Sequence, residues 1–297
     1  MGGVSLTPVV RGTTRLLGVL GWPVSHSLSP AMHNAALAHH ALDFVYVPLP
    51  VAPAQLPVVL PALAALGWRG VNVTIPYKAA VIPFLTALDP AAAAIGAVNT
   101  LVFESTTGHV VGYNTDWSGF SADLAAQVGV VAERPCLVLG AGGAARAVVY
   151  ALIKERAIVR CFARRPEQAE ALVEALGHDP RPVALTAHPF SALAELAADA
   201  ALIVNATSLG LGAQAQLSPW PARIPLPAGA FVYDLVYRPA QTPFLQQARL
   251  AGCRAANGLG MLLHQGAQAW PLWLGCSPDL TVMAAALQSA LASETHE

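Results

Sequence analysis

The chain has 297 residues, enough for two domains or one large one, and is 55% hydrophobic but only 11% charged, with a mean hydropathy of +0.52. Much of that apolar content is alanine, and the longest apolar stretch, Ala79–Phe103, is broken by Pro83, Asp89, Pro90 and Asn99, so it predicts short elements and a turn in place of a spanning helix of about twenty residues. A net charge of −1 gives no electrostatic case for nucleic acid, the N-terminus lacks a signal-peptide pattern, and the four separated cysteines show neither metal nor disulfide spacing, which together predict a cytoplasmic protein with no metal, no membrane and no nucleic-acid partner.

Short apolar runs alternate with longer helical ones, the pattern of an α/β protein. Leu16–Leu20 predicts a buried strand followed by a Gly-Trp-Pro turn. Ser29–His40 predicts a helix, with Ser29 as its N-cap and Pro30 at the first helical position. Phe44–Pro48 is a second strand, Leu56–Leu66 a helix and Gly70–Ile75 a third strand; Thr100–Phe103 and Val110–Tyr113 follow. A second unit starts near Trp117. It has a helix over Ser118–Val128, a strand at Cys136–Leu139, a glycine loop, a helix over Arg146–Lys154 and a strand at Ile158–Ala163. Later strands fall at Ala200–Asn205 and Phe231–Leu235, and the proline-rich stretch Pro219–Pro227 predicts a surface loop. Cys136 and Cys161 lie in apolar runs, where a thiol is buried. The stretch from Met261 is helical, without a strand of its own, and is expected to pack back on the first unit.

The glycine loop Gly140-Ala141-Gly142-Gly143-Ala144-Ala145 sits between a buried strand and a helix, the context of a dinucleotide-binding turn. Gly140 allows the tight turn, Gly142 lets backbone approach a pyrophosphate, and the small Ala145 lets helix and strand pack closely. The next strand ends Phe162-Ala163-Arg164-Arg165-Pro166, with two arginines where NAD-selective folds place an acidic residue. Guanidinium groups bind a 2′-phosphate through paired hydrogen bonds, so NADP is favoured over NAD.

The chain has fourteen arginines and two lysines. Arginine cannot shuttle a proton, whereas lysine can once burial or neighbours move its pKa. Lys154 belongs to a charged run at a helix end, but Lys78 closes Asn72-Val73-Thr74-Ile75-Pro76-Tyr77-Lys78. Three other polar segments interrupt the apolar first unit: Ser25-His26-Ser27-Leu28-Ser29-Pro30, Ala97-Val98-Asn99-Thr100 and Gly112-Tyr113-Asn114-Thr115-Asp116. Each follows or ends a predicted strand, and ligands of open α/β sheets sit beyond strand carboxyl ends. Converging hydroxyls, amides, one amine and one carboxylate suit a small polyhydroxylated ligand, with the amine and carboxylate as a proton-transfer pair.

These segments carry a family resemblance over nearly the whole chain. S-H-S-L-S-P from Ser25, N-V-T-I-P-Y-K ending at Lys78, G-A-V-N-T ending at Thr100 and N-T-D ending at Asp116 resemble those of shikimate dehydrogenases. So do G-A-G-G-A from Gly140, N-A-T-S ending at Ser208, D-L-V-Y ending at Tyr237 and G-L-G-M-L-L-H-Q ending at Gln265. The resemblance implies an α/β substrate-binding domain with a mostly parallel sheet over residues 1–116, completed by C-terminal helices over 258–297. It implies a Rossmann-like NADP-binding domain over 117–257, with a cleft between the two. The implied reaction is reversible NADP-linked reduction of 3-dehydroshikimate to shikimate, a step toward chorismate and aromatic amino acids. The implied enzyme is a monomer or homodimer acting on small molecules.

Carried over by position, Ser27 and Ser29 resemble the hydroxyls that hold the substrate carboxylate. Thr74, Asn99, Asp116 and Gln265 resemble ligands of the ring hydroxyls, with Asn72 and Tyr237 at the edge of the site. Lys78 resembles the catalytic acid–base residue and Asp116 its partner. Gly140, Ala141, Gly142, Gly143, Ala144, Arg164, Arg165, Leu235 and Gly258 resemble cofactor contacts. Two positions depart from the family pattern: Ala163 replaces an asparagine, and Gln168 replaces a basic residue. The alternatives are a quinate/shikimate dehydrogenase of broader range using NAD or NADP, and a non-catalytic ligand sensor on the same fold.

Overall fold

The computed structural model describes residues 10–104, 108–177 and 184–293. In chain order, β1 (Arg15–Gly21), α1 (Ser29–His39), β2 (Phe44–Pro50), α2 (Leu56–Ala65), β3 (Gly70–Val73), β4 (Ala87–Leu88), α3 (Pro90–Ile95), β5 (Thr100–Phe103) and β6 (Val110–Tyr113) come first. Next are α4 (Asp116–Val128), β7 (Pro135–Leu139), α5 (Gly143–Lys154), β8 (Ile158–Ala163), α6 (Pro166–Leu176), β9 (Leu185–Pro189) and α7 (Leu193–Leu196). The chain continues through β10 (Leu202–Asn205), β11 (Phe231–Asp234), α8 (Pro243–Leu250), β12 (Arg254–Asn257), α9 (Leu259–Leu274) and α10 (Leu280–Ser293). It divides into two compact units, one comprising residues up to Thr115 together with those from Leu263 onward, the other Asp116–Leu262. Among the described residues no helix is long and apolar enough to cross a membrane.

The first unit is built on a six-stranded sheet in the order β2-β1-β3-β5-β6-β4. β1 pairs parallel with β2 and β3, and β4 with β6, while β5 runs antiparallel to β3 and β6. All four residues of β3 and of β5 are buried, so neither strand has a solvent-facing side, and their polar members Asn72 and Thr100 are enclosed with the rest. The C-terminal part of the chain closes this unit. Trp273 donates its indole N–H to the Leu101 carbonyl at 2.9 Å, and Arg69 donates to the Trp273 carbonyl.

Trp270 donates to Nδ1 of His33 on α1 at 3.0 Å. His33 is fully buried, stacked on Tyr46 with ring centroids 4.2 Å apart, and Nε2 has no hydrogen-bond partner. Accepting from Trp270 requires Nδ1 to be bare, so the ring is the neutral tautomer with its proton on Nε2. Burial drives its pKa down to about 3.

The second unit is a fully parallel sheet in the order β12-β11-β10-β7-β8-β9. The chain runs outward from β7 through β8 to β9, then returns to β10 on the other side of β7. This reversal between β7 and β10 is the topological switch point, where such sheets bind ligands beyond their strand carboxyl ends. Cys136 and Cys161 are buried in this core, and burial pushes both thiols up to about 12, which keeps them protonated and inert.

Several elements differ from the sequence expectation, each for a local reason. Leu28, not Ser29, holds the N-cap position of α1, with no side-chain cap; Ser29 is already helical and its N–H donates to Ser27 Oγ at 3.3 Å. The third strand stops at Val73, because Thr74 opens a turn in which its carbonyl accepts from Tyr77 N–H. Pro219–Pro227 is a loop, but Trp220 and Ile224 are buried, and the Trp220 indole donates to the Ile224 carbonyl at 2.8 Å. That loop therefore plugs one face of the second sheet. The sequence pattern does not predict strands β9 and β12; both are sheet edges of half-buried, mixed composition.

His33 predicts an acid limb of stability. Its folded pKa lies below the unfolded value of 6.5, so the stability it allows is complete above pH 6.5 and falls as pH drops toward about 3. The slope is up to about 1.4 kcal/mol per pH unit. Urea unfolding of the wild type and of His33→Leu at pH 6.5 and 4.5 checks this: the wild type should lose roughly 2–3 kcal/mol more than the variant.

Candidate active site

In the second unit the glycine loop leaves β7 at the switch point. Gly140 has a φ of +116°, and a Cβ there would lie 2.8 Å from the Ala206 carbonyl oxygen. Only glycine meets both conditions. Gly142 is the opposite case: its backbone is extended and a Cβ would meet nothing within 4 Å. No protein neighbour requires glycine at 142, so the open space in front of it matches the approach of a ligand. Gly142 is the N-cap of the twelve-residue α5 without a side-chain cap, and the first helical hydrogen bond runs from Arg146 N–H to the Gly142 carbonyl at 3.0 Å. The N–H groups of Gly143, Ala144 and Ala145 thus lack intrahelical acceptors, and with the helix dipole they form a place for phosphate. Ala145 is fully buried under the helix, as its small size permits.

Arg164 and Arg165 follow β8 directly and are exposed, with Arg165 at the N-cap of α6. Two guanidinium groups sit there at the positive end of a helix, an arrangement that favours a bound anion. The donor set therefore fits a phosphorylated dinucleotide.

Two further loops border the switch point. Asn205, at the end of β10, accepts from Thr207 N–H at 3.0 Å and from its hydroxyl at 2.7 Å, and donates to Asp234 at 2.8 Å. Asp234, at the end of β11, also accepts from Thr242 Oγ1 at 2.5 Å and from Val236 N–H at 3.1 Å. Burial outweighs these donors and pushes the Asp234 carboxyl up to about 6. This pair holds the segments Asn205–Ser208 and Asp234–Tyr237 to one another. Leu235 and Gly258 are brought together: a Cβ on Gly258 would fall 2.2 Å from the Leu235 carbonyl oxygen. Tyr237 is half-buried in this unit, and Asp116, buried, is the first residue of α4.

In the first unit the polar segments meet in one hydrogen-bonded chain. The Tyr46 hydroxyl donates to Asn72 Oδ1 at 2.7 Å. Asn72 Nδ2 donates to the Asn99 carbonyl at 3.2 Å and to Thr100 Oγ1 at 3.1 Å. Asn99 Oδ1 accepts from Thr115 N–H at 2.7 Å, while its Nδ2 donates to Thr115 Oγ1 at 2.9 Å and to Gln265 Oε1 at 3.2 Å. Asn72, Asn99, Thr100, Thr115 and Gln265 are all buried. Asn72 spends both of its amide hydrogens inside the protein, which leaves it only acceptor capacity toward a ligand.

Ser27 and Thr74 are half-buried and Ser29 is buried. Lys78 is half-buried and its backbone is pinned: its carbonyl accepts from Val98 N–H at 2.7 Å, and the preceding Tyr77, buried, donates its hydroxyl to the Val51 carbonyl. The structure thus gathers Asn72, Asn99 and Gln265, joins Ser27 to Ser29, and ties Lys78 to the Ala97–Thr100 segment. Tyr46, Thr115, Asn205 and Asp234 are structural partners that sequence reasoning did not single out. Thr115, Asn205 and Asp234 lie inside quoted motifs; Tyr46 carries no local signal.

A doubly wound parallel unit with a phosphate cradle and paired arginines, in one chain with an α/β unit of gathered amides and a pinned lysine, defines a dinucleotide-dependent oxidoreductase. Residues 19–101 match the family "Shikimate dehydrogenase substrate binding domain", and residues 258–288 match "Shikimate 5'-dehydrogenase C-terminal domain". The chain is 45% identical over 289 residues to the shikimate dehydrogenase (NADP(+)) of Moorella thermoacetica, covering 96% of this chain and 97% of that one. It resembles the crystal structure of a shikimate dehydrogenase in complex with NADP+ at a TM-score of 0.89 and 35% identity, covering 97% and 99% of the two chains. The Thermus thermophilus shikimate 5-dehydrogenase in complex with NADP(H) and shikimate matches at a TM-score of 0.82 and 40% identity, covering 93% and 100%. The chain belongs to the shikimate dehydrogenase family.

Two alanine substitutions separate ligand space from backbone need. Gly142→Ala should keep its melting temperature while the KM for NADP rises roughly tenfold or more, the cost of one obstructed phosphate contact. Gly140→Ala should lower both stability and NADP affinity, because strain and the Ala206 carbonyl oppose it. Thermal unfolding and steady-state kinetics on the two variants check the contrast.

Proposed function

We propose that the protein catalyses the reversible NADP-dependent reduction of 3-dehydroshikimate to shikimate, in the pathway to chorismate and the aromatic amino acids. The observation that carries this reading is the match along nearly the full chain to shikimate dehydrogenases, with all eight motifs in order. In this reading Ser27 and Ser29 bind the substrate carboxylate. Thr74, Asn99 and Gln265 bind the ring hydroxyls, with Asp116, and with Asn72 and Tyr237 at the edge.

NADPH, when bound, would supply the hydride that reduces the ketone. Lys78 stabilises the negative charge that develops on the carbonyl oxygen and gives that oxygen a proton; in the oxidative direction it takes the proton back, with Asp116 as its partner. Gly140, Ala141, Gly142, Gly143 and Ala144 would hold the pyrophosphate, Arg164 and Arg165 the 2′-phosphate, and Leu235 and Gly258 would make further cofactor contacts. Arg165 takes over binding at the adenosine end, where Ala163 offers no side-chain amide. The enzyme works in the cytoplasm as a monomer or homodimer.

Initial rates of shikimate oxidation with NADP and with NAD, with quinate alongside, test the proposal. Turnover confined to shikimate and NADP is expected. Comparable rates with quinate or NAD would move the protein to the broader quinate/shikimate class, and no turnover by folded protein with any pair would overturn the reading. Lys78→Ala should lower kcat by about a thousandfold, within the range for loss of a general acid–base group, with NADP affinity nearly intact. Replacing Arg164 and Arg165 together by Ala should raise the KM for NADP by roughly ten- to a hundredfold and leave that for NAD nearly unchanged.

A further inference from the structure

The buried amide chain of the first unit has a direction. Asn99's backbone carbonyl can only accept, so the amide group of Asn72 that meets it must be the NH2 end. Asn72 Oδ1 then points to Tyr46, whose hydroxyl must donate. Thr115's backbone N–H can only donate, so the end of Asn99 that meets it must be Oδ1, and Nδ2 must face Gln265. Gln265 accepts there through Oε1, and so turns its NH2 end away from Asn99. Two backbone groups thus set the polarity of three side-chain amides in sequence.

Two hydroxyls fill the amide hydrogen-bonding capacity that the backbone leaves open. Thr100 Oγ1 accepts from Asn72 at 3.1 Å and donates to Asn99 Oδ1 at 3.1 Å, joining the two amides directly. Tyr46 satisfies the remaining end of Asn72, and its own position is over-determined. Asn34 clamps its backbone, receiving Tyr46 N–H at Oδ1 and donating Nδ2 to the Tyr46 carbonyl, both at 2.8 Å. His33 stacks on its ring within 14° of parallel, and Trp273 packs against it at a 6.3 Å centroid separation. Trp270, which holds His33, lies on α9 with Gln265, so the contacts close a ring: Gln265, Asn99, Asn72, Tyr46, His33, Trp270 and back along the helix.

We propose that Tyr46 and Thr100 are positioning residues: the backbone sets which way the Asn72 and Asn99 amides face, and the two hydroxyls hold those amides, and through Asn99 the Gln265 side chain, in register for the substrate. The inference rests on the reading of Asn99 and Gln265 as substrate ligands. Neither hydroxyl contacts substrate; each acts through an amide. Removing the Tyr46 hydroxyl leaves Asn72 Oδ1 without its donor, and removing the Thr100 hydroxyl leaves one Asn72 amide hydrogen without its acceptor and Asn99 Oδ1 with one donor fewer; the side chains relieve that by shifting out of register.

The test is steady-state kinetics of Tyr46→Phe and Thr100→Val, both nearly isosteric, with thermal unfolding alongside. The expected result is a KM for shikimate raised roughly tenfold in each, the factor of one misplaced hydrogen bond, with kcat and the KM for NADP within about threefold of wild type. In an Asn72→Ala background, Tyr46→Phe should add no further change, since its route is gone. An unchanged KM for shikimate in either folded variant overturns the proposal, as does an undiminished Tyr46→Phe effect in the Asn72→Ala background. Should Tyr46→Phe fail to fold, Thr100→Val decides alone. Asn99→Ala separates the two levels: an unchanged KM there sinks the substrate-site reading itself. A raised KM there, with Tyr46→Phe and Thr100→Val inert, sinks only the positioning role.

Discussion

Asn99 is the constraint on which the first unit depends. Its backbone N–H donates to the Tyr113 carbonyl at 3.0 Å and its carbonyl accepts from Val73 N–H at 2.7 Å, so the ends of β3, β5 and β6 are tied through one residue. Its side chain extends the tie to Thr115 and Gln265. Buried amides are costly unless satisfied, and here Asn72 and Asn99 find partners at both ends, with one end of each fixed by a backbone group. The same requirement that makes the network stable makes it specific: neither Asn72 nor Asn99 can reverse without setting like ends against a backbone group.

The second unit solves a comparable problem with a carboxylate. Asp234 is buried without a cation beside it among its hydrogen-bond partners, and its burial is tolerated because Asn205, Thr242 and Val236 supply donors. Desolvation still wins over those donors, which is why its carboxyl sits near 6 and not below the usual range. The arrangement fixes two loops at the strand ends beside the glycine turn, so the nucleotide-binding edge is held by hydrogen bonds while the turn itself offers only backbone. Rigid loops and an unobstructed helix N-terminus are complementary parts of one phosphate site.

The strands in the interior of each sheet are legible because they are short runs dominated by β-branched and other apolar residues. Thr100–Phe103, Val110–Tyr113 and Ile158–Ala163 can be read with their observed limits for this reason. The two edge strands of the second sheet are not legible: Leu185–Pro189 and Arg254–Asn257 are half-buried and mixed, and their pairing is supplied by neighbours distant in the chain. Pro219–Pro227 reads as a surface loop because prolines mark irregular backbone, yet Trp220 in that loop is anchored in a core that only the assembled sheet creates.

By itself the sequence determined the motifs, their order, and hence the kind of chemistry: an amine and a carboxylate among hydroxyls and amides, a glycine loop after a strand, and arginines where an acid would exclude phosphate. These are local properties, because residue type and spacing along one strand and its following turn specify them. Only tertiary structure decided which amides face one another and which ends they present. Tyr46 lies 26 residues from Asn72, and Gln265 lies 166 from Asn99, so their hydrogen bonds exist only once the sheet and α9 have packed. Donor–acceptor polarity is a property of pairs in contact, and no single residue in the chain carries it.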